Sequence, residues 1–297
     1  MKKNLAFVLG GGGARGALQV GALRALFEAG YQPDLLVGTS IGAANAAGLA
    51  LWGANLDGVA ALEKAYQSTA EGNLMDSPGR LVWHAISGRP FYTSKRAKEF
   101  LIAAGITPDM RFGHVQNPRL GLVGAEMGSG HPLIYGLDPG QSVLEGVLAS
   151  CAVPPWFEPI ENDDQLILDG GALSNLPIEP ALIMGATEII ALDLSVSPST
   201  SGPMNRFNQL ERSISAFRKR EIDLEIALAE AKGIPVHYMQ LQSFPPIQMW
   251  DFSTYRNLIE IGYETAKKHI SEWNQVRRSN PVARLWSALV DTGAARP

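Results

Sequence analysis

The sequence predicts an α/β fold with a parallel sheet, and three observations near the N-terminus support it. Residues 5–9 form a near-continuous apolar run, as expected of a strand buried on both faces. Residues 17–29 then place apolar side chains at helical spacing, and Gly30 follows where a helix often ends. A second apolar run, residues 34–37, leads into the helix-compatible residues 43–51. This strand–helix–strand–helix order implies parallel strands joined by a right-handed crossover.

Hydrophobic period and turn residues predict the elements of the remaining chain. Further helices are expected at residues 56–70, 94–104, 143–151, 206–232 and 255–273, with another helix ending over 181–185. Further strands are expected at residues 120–127, 132–137, 165–168, 188–194 and 235–241. The first two of these should pair across a short turn that contains two glycines.

Composition indicates a folded, acidic protein with a sizeable core. The 297 residues are 46% apolar and 18% charged, with a net charge of −4, so nucleic acid is not an expected partner. The single cysteine, Cys151, excludes an intrachain disulfide and a multi-cysteine metal site, and we interpret it as a small buried residue rather than a nucleophile. With no signal-peptide core and no run of 18 apolar residues, we expect a soluble cytoplasmic protein.

A serine stands at a sharp turn between the second strand and the second helix. Gly38 and Gly42 flank Ser40 at the G-x-S-x-G spacing. Such a strained turn brings neighbouring backbone close, so only residues without a Cβ fit on either side of the serine. The turn would place the hydroxyl at a helix N-terminus, where unpaired N–H groups favour developing negative charge. A turn without chemistry is the alternative, because five residues of pattern are weak evidence alone.

A run of glycines follows the first strand and has three interpretations. Gly11, Gly13 and Gly16 satisfy the dinucleotide pattern G-x-G-x-x-G, but that site also needs an acidic residue at the end of the second strand. Asp34 stands at the start of that strand instead. The second interpretation is a tight turn. The third is an oxyanion hole formed by backbone N–H groups, each of which is typically worth about a hundred- to a thousandfold in rate.

A carboxylate, Asp169, ends the predicted strand 165–168 and precedes two glycines. If this strand end lies beside Ser40, the carboxylate can accept the serine proton, although an ordinary pKa near 4 makes a poor base at neutral pH. Asn175 is a candidate for orienting the loop that follows, and Asp193 is a second strand-end carboxylate less suited to the role. None of the histidines stands in a recognisable catalytic context, and metal-ligand spacings such as H-x-x-x-H are absent from the sequence.

Three motifs in one order resemble the patatin-like phospholipase family. They are Gly-Gly-Gly-Ala-Arg-Gly at residues 11–16, Gly-Thr-Ser-Ile-Gly at 38–42 and Asp-Gly-Gly at 169–171, and residues 150–159 also resemble the family's segment before its aspartate strand. The resemblance covers roughly residues 4–195. It implies a three-layer α/β/α patatin-like fold with a central, mostly parallel sheet, and hydrolysis of phospholipid, lysophospholipid or simpler acyl esters without a metal or another cofactor.

The resemblance also assigns residues to roles. Ser40 would be the nucleophile and Asp169 the base of a dyad without histidine, and the N–H groups of Gly11, Gly12 and Gly13 would bind the oxyanion. The family's supporting positions fall on Arg15, Gly16, Gly38, Gly42, Gly170 and Gly171. We divide the chain into a catalytic core, residues 1–200, and a helical extension with one strand, residues 201–297, packed on the same domain.

Several alternatives stay open at this stage. The same dyad would also serve an acyltransferase, and a non-catalytic nucleotide- or lipid-binding protein would use only the glycine-rich loop. Residues 71–93 mix aromatic and polar side chains, typical of either a lid or an irregular surface segment. Residues 264–289 hold five Lys or Arg against two Glu, a pattern of either peripheral membrane contact or a helix packed on its own domain. The sequence does not indicate an oligomeric state.

Overall fold

In a computed structural model of the chain, residues 3–72, 93–154, 156–162, 165–196 and 206–279 are described. The strands are β1 (Leu5–Leu9), β2 (Leu35–Thr39), β3 (Arg119–Glu126), β4 (His131–Tyr135), β5 (Ile160–Asn162), β6 (Gln165–Asp169), β7 (Glu188–Asp193) and β8 (Val236–Gln240). The helices are α1 (Gly16–Glu28), α2 (Ile41–Trp52), α3 (Leu56–Gly72), α4 (Thr93–Ala103), α5 (Val143–Ser150), α6 (Ile178–Ile183), α7 (Arg206–Ala231) and α8 (Tyr255–Ser279).

The strands form one mixed sheet whose centre is parallel. β1 pairs in parallel with β2 on one side and with β7 on the other, and β8 extends the sheet beyond β7. β3 is parallel to β2, whereas β4 and β6 are antiparallel to β3 and the short β5 is antiparallel to β6. The predicted hairpin of β3 and β4 is confirmed, and β5 is a strand that the sequence pattern did not predict.

Alternating side chains of the central strands fill a separate hydrophobic core on each face of the sheet. Phe7 and Leu9 of β1 point into the core covered by α1, α2, α3, α5 and α8. Ala6 and Val8 of the same strand point into the core covered by α6 and α7. The central strands are therefore buried on both faces, as their unbroken apolar sequences predict. The three-layer α/β/α architecture is confirmed.

The longest helix–helix contact joins α1 to α8. Gly21 of α1 lies against the α8 backbone, where an added Cβ would come within 1.8 Å of the Ile259 carbonyl oxygen. Gly262 of α8 lies equally close to α1, with the Leu18 carbonyl oxygen 1.9 Å from a built Cβ. The apolar face of α8, which includes Leu258, is buried in the main core. The described part of this helix therefore buries its apolar face against the rest of the chain.

Two predictions concern residues that the structure describes only in part. Of the segment 71–93, residues 73–92 lie outside the described residues, and so do residues 280–289 of the basic tail.

Helix boundaries differ from the predicted ones by a few residues; α6, for example, ends at Ile183, and Gly185 adopts φ 88° just beyond it. No helix in the described part of the chain is long and apolar enough to cross a membrane.

Candidate active site

Ser40 occupies a strained turn between β2 and α2. Its backbone has φ 56° and ψ −125°, and it is the only non-glycine residue with positive φ among those described. A Cβ on Gly38 would lie 2.3 Å from the Gly42 carbonyl oxygen, and a Cβ on Gly42 would lie 2.1 Å from the Leu9 carbonyl oxygen. Both glycines are therefore required by close backbone contact. Strain of this kind is maintained only where the surrounding structure fixes it, and it is common at functional sites.

A second serine fixes the backbone of this turn. The Ser40 N–H donates a hydrogen bond of 2.9 Å to Ser150 Oγ at the end of α5. The Ser150 hydroxyl in turn donates to the Val123 carbonyl oxygen on β3, and Ser150 is completely buried. Sequence reasoning missed this contact, because a serine near a helix end carries no signal of a partner more than 100 positions away. Ser150 therefore connects the turn to β3, the strand that pairs with Asp169.

Asp169 reaches Ser40 through the register of β3. Thr39 pairs with Val123, and the neighbouring Gly124 pairs with Asp169. Since β4 occupies the other edge of β3 over residues 122–126, β2 and β6 must share the remaining edge. If β2 continued one residue beyond Thr39, that residue would pair with Gly124. Asp169 occupies this pairing position instead, because the chain turns away from β3 at Ser40. The structure brings these two side chains together, although β6 is antiparallel to β3.

Burial and hydrogen bonding set the charge state of Asp169. One carboxylate oxygen, Oδ1, accepts the Gly171 N–H at 2.7 Å. The other oxygen, Oδ2, is buried, and no described residue donates a well-aligned hydrogen bond to it. Burial raises the pKa of Asp169 from 3.8 to about 6, while the Ser40 hydroxyl, the Gly171 N–H and the Arg218 guanidinium act to lower it. The Ser40 hydroxyl is thus close enough to Asp169 to influence the pKa of its carboxyl group.

The glycine loop lies against Ser40, but only part of it is available to a ligand. The Gly11 N–H donates to the Asn175 carbonyl oxygen at 3.0 Å, so the expectation that it binds an oxyanion is corrected. Gly11 instead allows close approach, because its built Cβ would lie 3.1 Å from Ser40 Cβ. Within the described residues, the Gly12 and Gly13 N–H groups make no hydrogen bond, and Gly13 lines the same cavity as Ser40.

Other residues of the glycine motifs have structural contacts. Arg15 Nε donates to the Gly12 carbonyl oxygen at 3.1 Å, which fixes the loop from below. Gly16 allows α1 to approach α2 and α3, since its built Cβ would lie 2.3 Å from the Tyr66 hydroxyl. Gly170 lies against β3, with the Val123 carbonyl oxygen 2.1 Å from a built Cβ, and Gly171 supplies the N–H that binds Asp169. These positions shape the site rather than contribute side-chain chemistry.

An apolar cavity of about 140 Å³ opens beside Ser40. One stripe of α2 forms a wall of it, with Ile41, Ala44, Gly48 and Trp52 following each other at helical spacing. Side chains from α3, α4 and α5 and the segment around residue 250 complete the lining, which is almost entirely apolar. Such a cavity suits the hydrocarbon group of a molecule bound beside Ser40.

The remaining candidates have other roles. Asp193 accepts the Ser195 N–H at 2.8 Å and the Tyr238 hydroxyl at 2.7 Å, so its carboxylate is satisfied away from Ser40. Asp34 accepts the Leu5 N–H at 2.8 Å and thereby joins the first two strands, which leaves the dinucleotide pattern without its acidic residue. Burial raises the pKa of the Cys151 thiol, which keeps it neutral. Among the described residues, no group of three or more metal-ligating side chains exists.

The fold and the site define a class: a three-layer α/β protein with a serine at a glycine-flanked turn, an aspartate beside it and a glycine-rich loop over both. Comparison with known sequences identifies the family. The model of the family described as "Patatin-like phospholipase" matches residues 7–182, and the chain belongs to this family.

Similar proteins are found at low identity. "Patatin-like phospholipase domain-containing protein 7" of Mus musculus is 28% identical over 91% of this chain and 21% of its own length. "Lysophospholipase NTE1" of Cryptococcus neoformans is 26% identical over 92% of this chain and 17% of its own length. Among solved structures, VipD from Legionella pneumophila aligns with TM-score 0.50 and 17% identity over 92% of this chain and 67% of VipD, and so supports the fold. The chain thus spans about a fifth of these two curated relatives.

Proposed function

We propose that the chain is a serine hydrolase of lipid acyl esters, with Ser40 as nucleophile and Asp169 as general base. The observation that carries this proposal is the pairing along β3, which puts Asp169 at the position next to Thr39 where β2 ends at Ser40. A nucleophile needs a base within reach of its proton, and geometry is the first test of such a pair.

The chemistry follows from these contacts. As Ser40 Oγ attacks the ester carbonyl carbon, its proton moves to Asp169, and the carbonyl oxygen becomes an oxyanion. We expect the N–H groups of Gly12 and Gly13 to stabilise that charge, helped by the N-terminus of α2. Collapse of the tetrahedral intermediate returns the proton to the departing alkoxide and leaves an acyl-Ser40 ester. Water, deprotonated by Asp169, then attacks the acyl carbonyl carbon. The second tetrahedral intermediate breaks its bond to Ser40 Oγ, which takes the proton back from Asp169, and the carboxylic acid is released.

The environment of Asp169 suits this role better than an ordinary carboxylate would. A carboxyl pKa near 6 makes a stronger base than one near 4, yet the group is still largely ionised at neutral pH. Burial of the carboxyl group produces this shift. The proposed mechanism requires neither a histidine nor a metal.

Lipid esters are the proposed substrate class for two reasons. The cavity beside Ser40 is apolar, so it favours an alkyl chain over a polar acyl group. Relatives of the chain are named as phospholipases and lysophospholipases, although it spans only a small part of them. Transfer of the acyl group to an acceptor other than water is the main alternative outcome and would appear as a transesterified product.

Active-site substitution tests the proposal directly. Ser40→Ala should abolish hydrolysis of p-nitrophenyl esters and labelling by a fluorophosphonate, because both need the hydroxyl. Asp169→Asn should lower kcat by about a hundred- to ten-thousandfold, the usual worth of a general base. Ser213→Ala is the matched control, since this exposed α7 serine bonds only to its own helix. Full activity of folded Ser40→Ala or Asp169→Asn protein would contradict the dyad.

A further inference from the structure

One buried and one half-buried carboxyl group on α7 contact the segment that follows Asp169. Glu221 and Glu225 are one helical turn apart, and Glu225 is only 7% exposed. Acidic side chains are rarely buried unless they bind specific partners. Neither residue belongs to the glycine, serine or aspartate motifs, and the proposed mechanism does not use either of them.

Both carboxyl groups are bound to the backbone and side chains of residues 174–179. Glu225 Oε1 accepts the Ser174 hydroxyl at 2.7 Å, and Oε2 accepts the Glu179 N–H at 2.7 Å. Glu221 Oε1 accepts the Asn175 N–H at 3.0 Å. The pair therefore satisfies two donors of the loop that follows the candidate base and one donor in the first turn of α6.

The opposite side of this loop touches both other parts of the site. The Ser174 carbonyl oxygen accepts the Thr39 hydroxyl at 2.9 Å, next to Ser40. The Asn175 carbonyl oxygen accepts the Gly11 N–H at 3.0 Å, and Asn175 Nδ2 donates to the Gly11 carbonyl oxygen at 3.4 Å. Ser174 and Asn175 are both buried. Two adjacent residues thus connect the helix carboxyl groups to the serine turn and to the glycine loop.

The two carboxyl groups differ in how many donors they accept. Both oxygens of Glu225 accept a hydrogen bond from residues 174–179, whereas Glu221 accepts one through Oε1. Burial, together with the charge of Glu225, raises the pKa of Glu221, and burial also raises the pKa of Glu225. Arg218, on the same helix, is a cation that acts to lower the pKa of Glu221.

We propose that Glu221 and Glu225 are positioning residues, which hold residues 174–175 so that Asp169 and the glycine loop keep their places around Ser40. This inference rests on the proposed hydrolase function. It assigns to α7, far along the chain from every catalytic motif, the task of aligning the base with the nucleophile.

The different numbers of accepted hydrogen bonds predict an asymmetric response to the same substitution. In Glu221→Gln, the amide oxygen still accepts from the Asn175 N–H and the NH₂ group can face Glu225, so the loop keeps its contact. In Glu225→Gln, one of two accepting oxygens becomes an NH₂ group, which must face the Ser174 hydroxyl or the Glu179 N–H, so one acceptor is lost. Glu221→Leu removes both contacts of Glu221 without changing the helix propensity greatly.

The experiment measures kcat per titrated active site, with fluorophosphonate labelling used to count reactive Ser40. Glu225→Gln and Glu221→Leu should lower this kcat by about tenfold or more, a barrier change of roughly 1.4 kcal/mol, while KM stays within about twofold. Glu221→Gln should stay within about threefold of the original chain. Glu230→Gln, an exposed change on the same helix, is the control.

The outcomes distinguish failure of the positioning role from failure of the proposed hydrolase function. Equal kcat for Glu225→Gln and Glu221→Gln, or losses that only follow the amount of folded protein, would overturn the positioning role. If Glu225→Gln does not fold, the comparison of Glu221→Leu with Glu221→Gln still decides, because only the leucine should lose activity. An original chain that neither labels nor hydrolyses esters would instead refute the proposed hydrolase function.

Discussion

The cavity beside Ser40 predicts how activity depends on acyl-chain length. Its volume of about 140 Å³ is close to the roughly 150 Å³ of an engineered cavity that holds one benzene, so it accommodates about six carbons. Each buried methylene contributes about 0.8 kcal/mol, which corresponds to about fourfold in kcat/KM. For p-nitrophenyl esters, kcat/KM should therefore rise about fourfold per carbon from acetate to about hexanoate and then level off.

The decisive perturbation is Ala44→Leu. Ala44 lines the cavity about one turn into α2, so a leucine there places three more carbons in the space beside Ser40. About three methylenes of a hexanoyl chain then lose their site, which costs about 2.4 kcal/mol or roughly sixtyfold in kcat/KM. Acetate should be hydrolysed almost as before. Trp52→Ala, at the far end of the same stripe, should instead extend the rise to longer chains.

The assay is a steady-state series of acetate, butyrate, hexanoate and octanoate esters with each variant. Ala50→Leu is the matched control, because it makes the same change on the same helix at a residue outside the cavity lining. Unfolding temperatures of the two leucine variants should be compared. If Ala44→Leu lowers all esters by the same factor, or if Ala50→Leu shortens the preferred chain equally, the cavity is not the acyl site.

Three further predictions concern the residues around Ser40. Since the base must be ionised, kcat/KM should fall about tenfold per unit below pH 6, and a flat profile from pH 7 to 5 would exclude Asp169 as the base. Because the folded-state pKa of Asp169 lies above its ordinary 3.8, this group stabilises the fold below about pH 4, and that stability is lost as pH rises through 6. The Asp169→Asn side chain does not ionise, so this variant should not show the loss. Relative to the unsubstituted protein, its free energy of unfolding should rise by up to roughly 3 kcal/mol between pH 4 and 8, measured by denaturant titration. Asp193→Asn, which disturbs a satisfied carboxylate, should only lower the free energy of unfolding. Ser150→Ala should cost about 1–3 kcal/mol of stability, because it removes the partner of the part-buried Ser40 N–H, and it should lower kcat more than KM. Unchanged kcat with intact folding would show that this contact does not hold the turn.

Much of the fold follows from local sequence patterns. Residues 5–9 and 35–37 are unbroken apolar runs, and the glycines at 38 and 42 mark the turn at Ser40 by steric necessity. These signals are local, so a single sequence contains them. The parallel pairing of β1 with β2 and β7 also follows the topology that alternating strands and helices predict.

Long-range pairing is what the sequence could not predict. Nothing in residues 165–169 indicates that β6 pairs antiparallel to β3 on the edge that β2 vacates, yet this register decides where Asp169 lies. The glycine run predicts an oxyanion donor at Gly11, but the N–H of Gly11 donates to the Asn175 carbonyl oxygen, which lies far away in the sequence. Glu221 and Glu225 resembled ordinary polar positions of a long helix, since burial of a helix face depends on what packs against it.

The close crossing of α1 and α8 has a consequence for shortened forms of the protein. A fragment that stops near residue 182, where the family match ends, would leave Gly21 facing water and remove the strand beside β1. It would also lose the Met249 carbonyl oxygen, which accepts the Ala14 N–H at 2.8 Å beneath the glycine loop. Autonomous folding should therefore require the chain through α8, and grafting or dissection of this module should respect that limit.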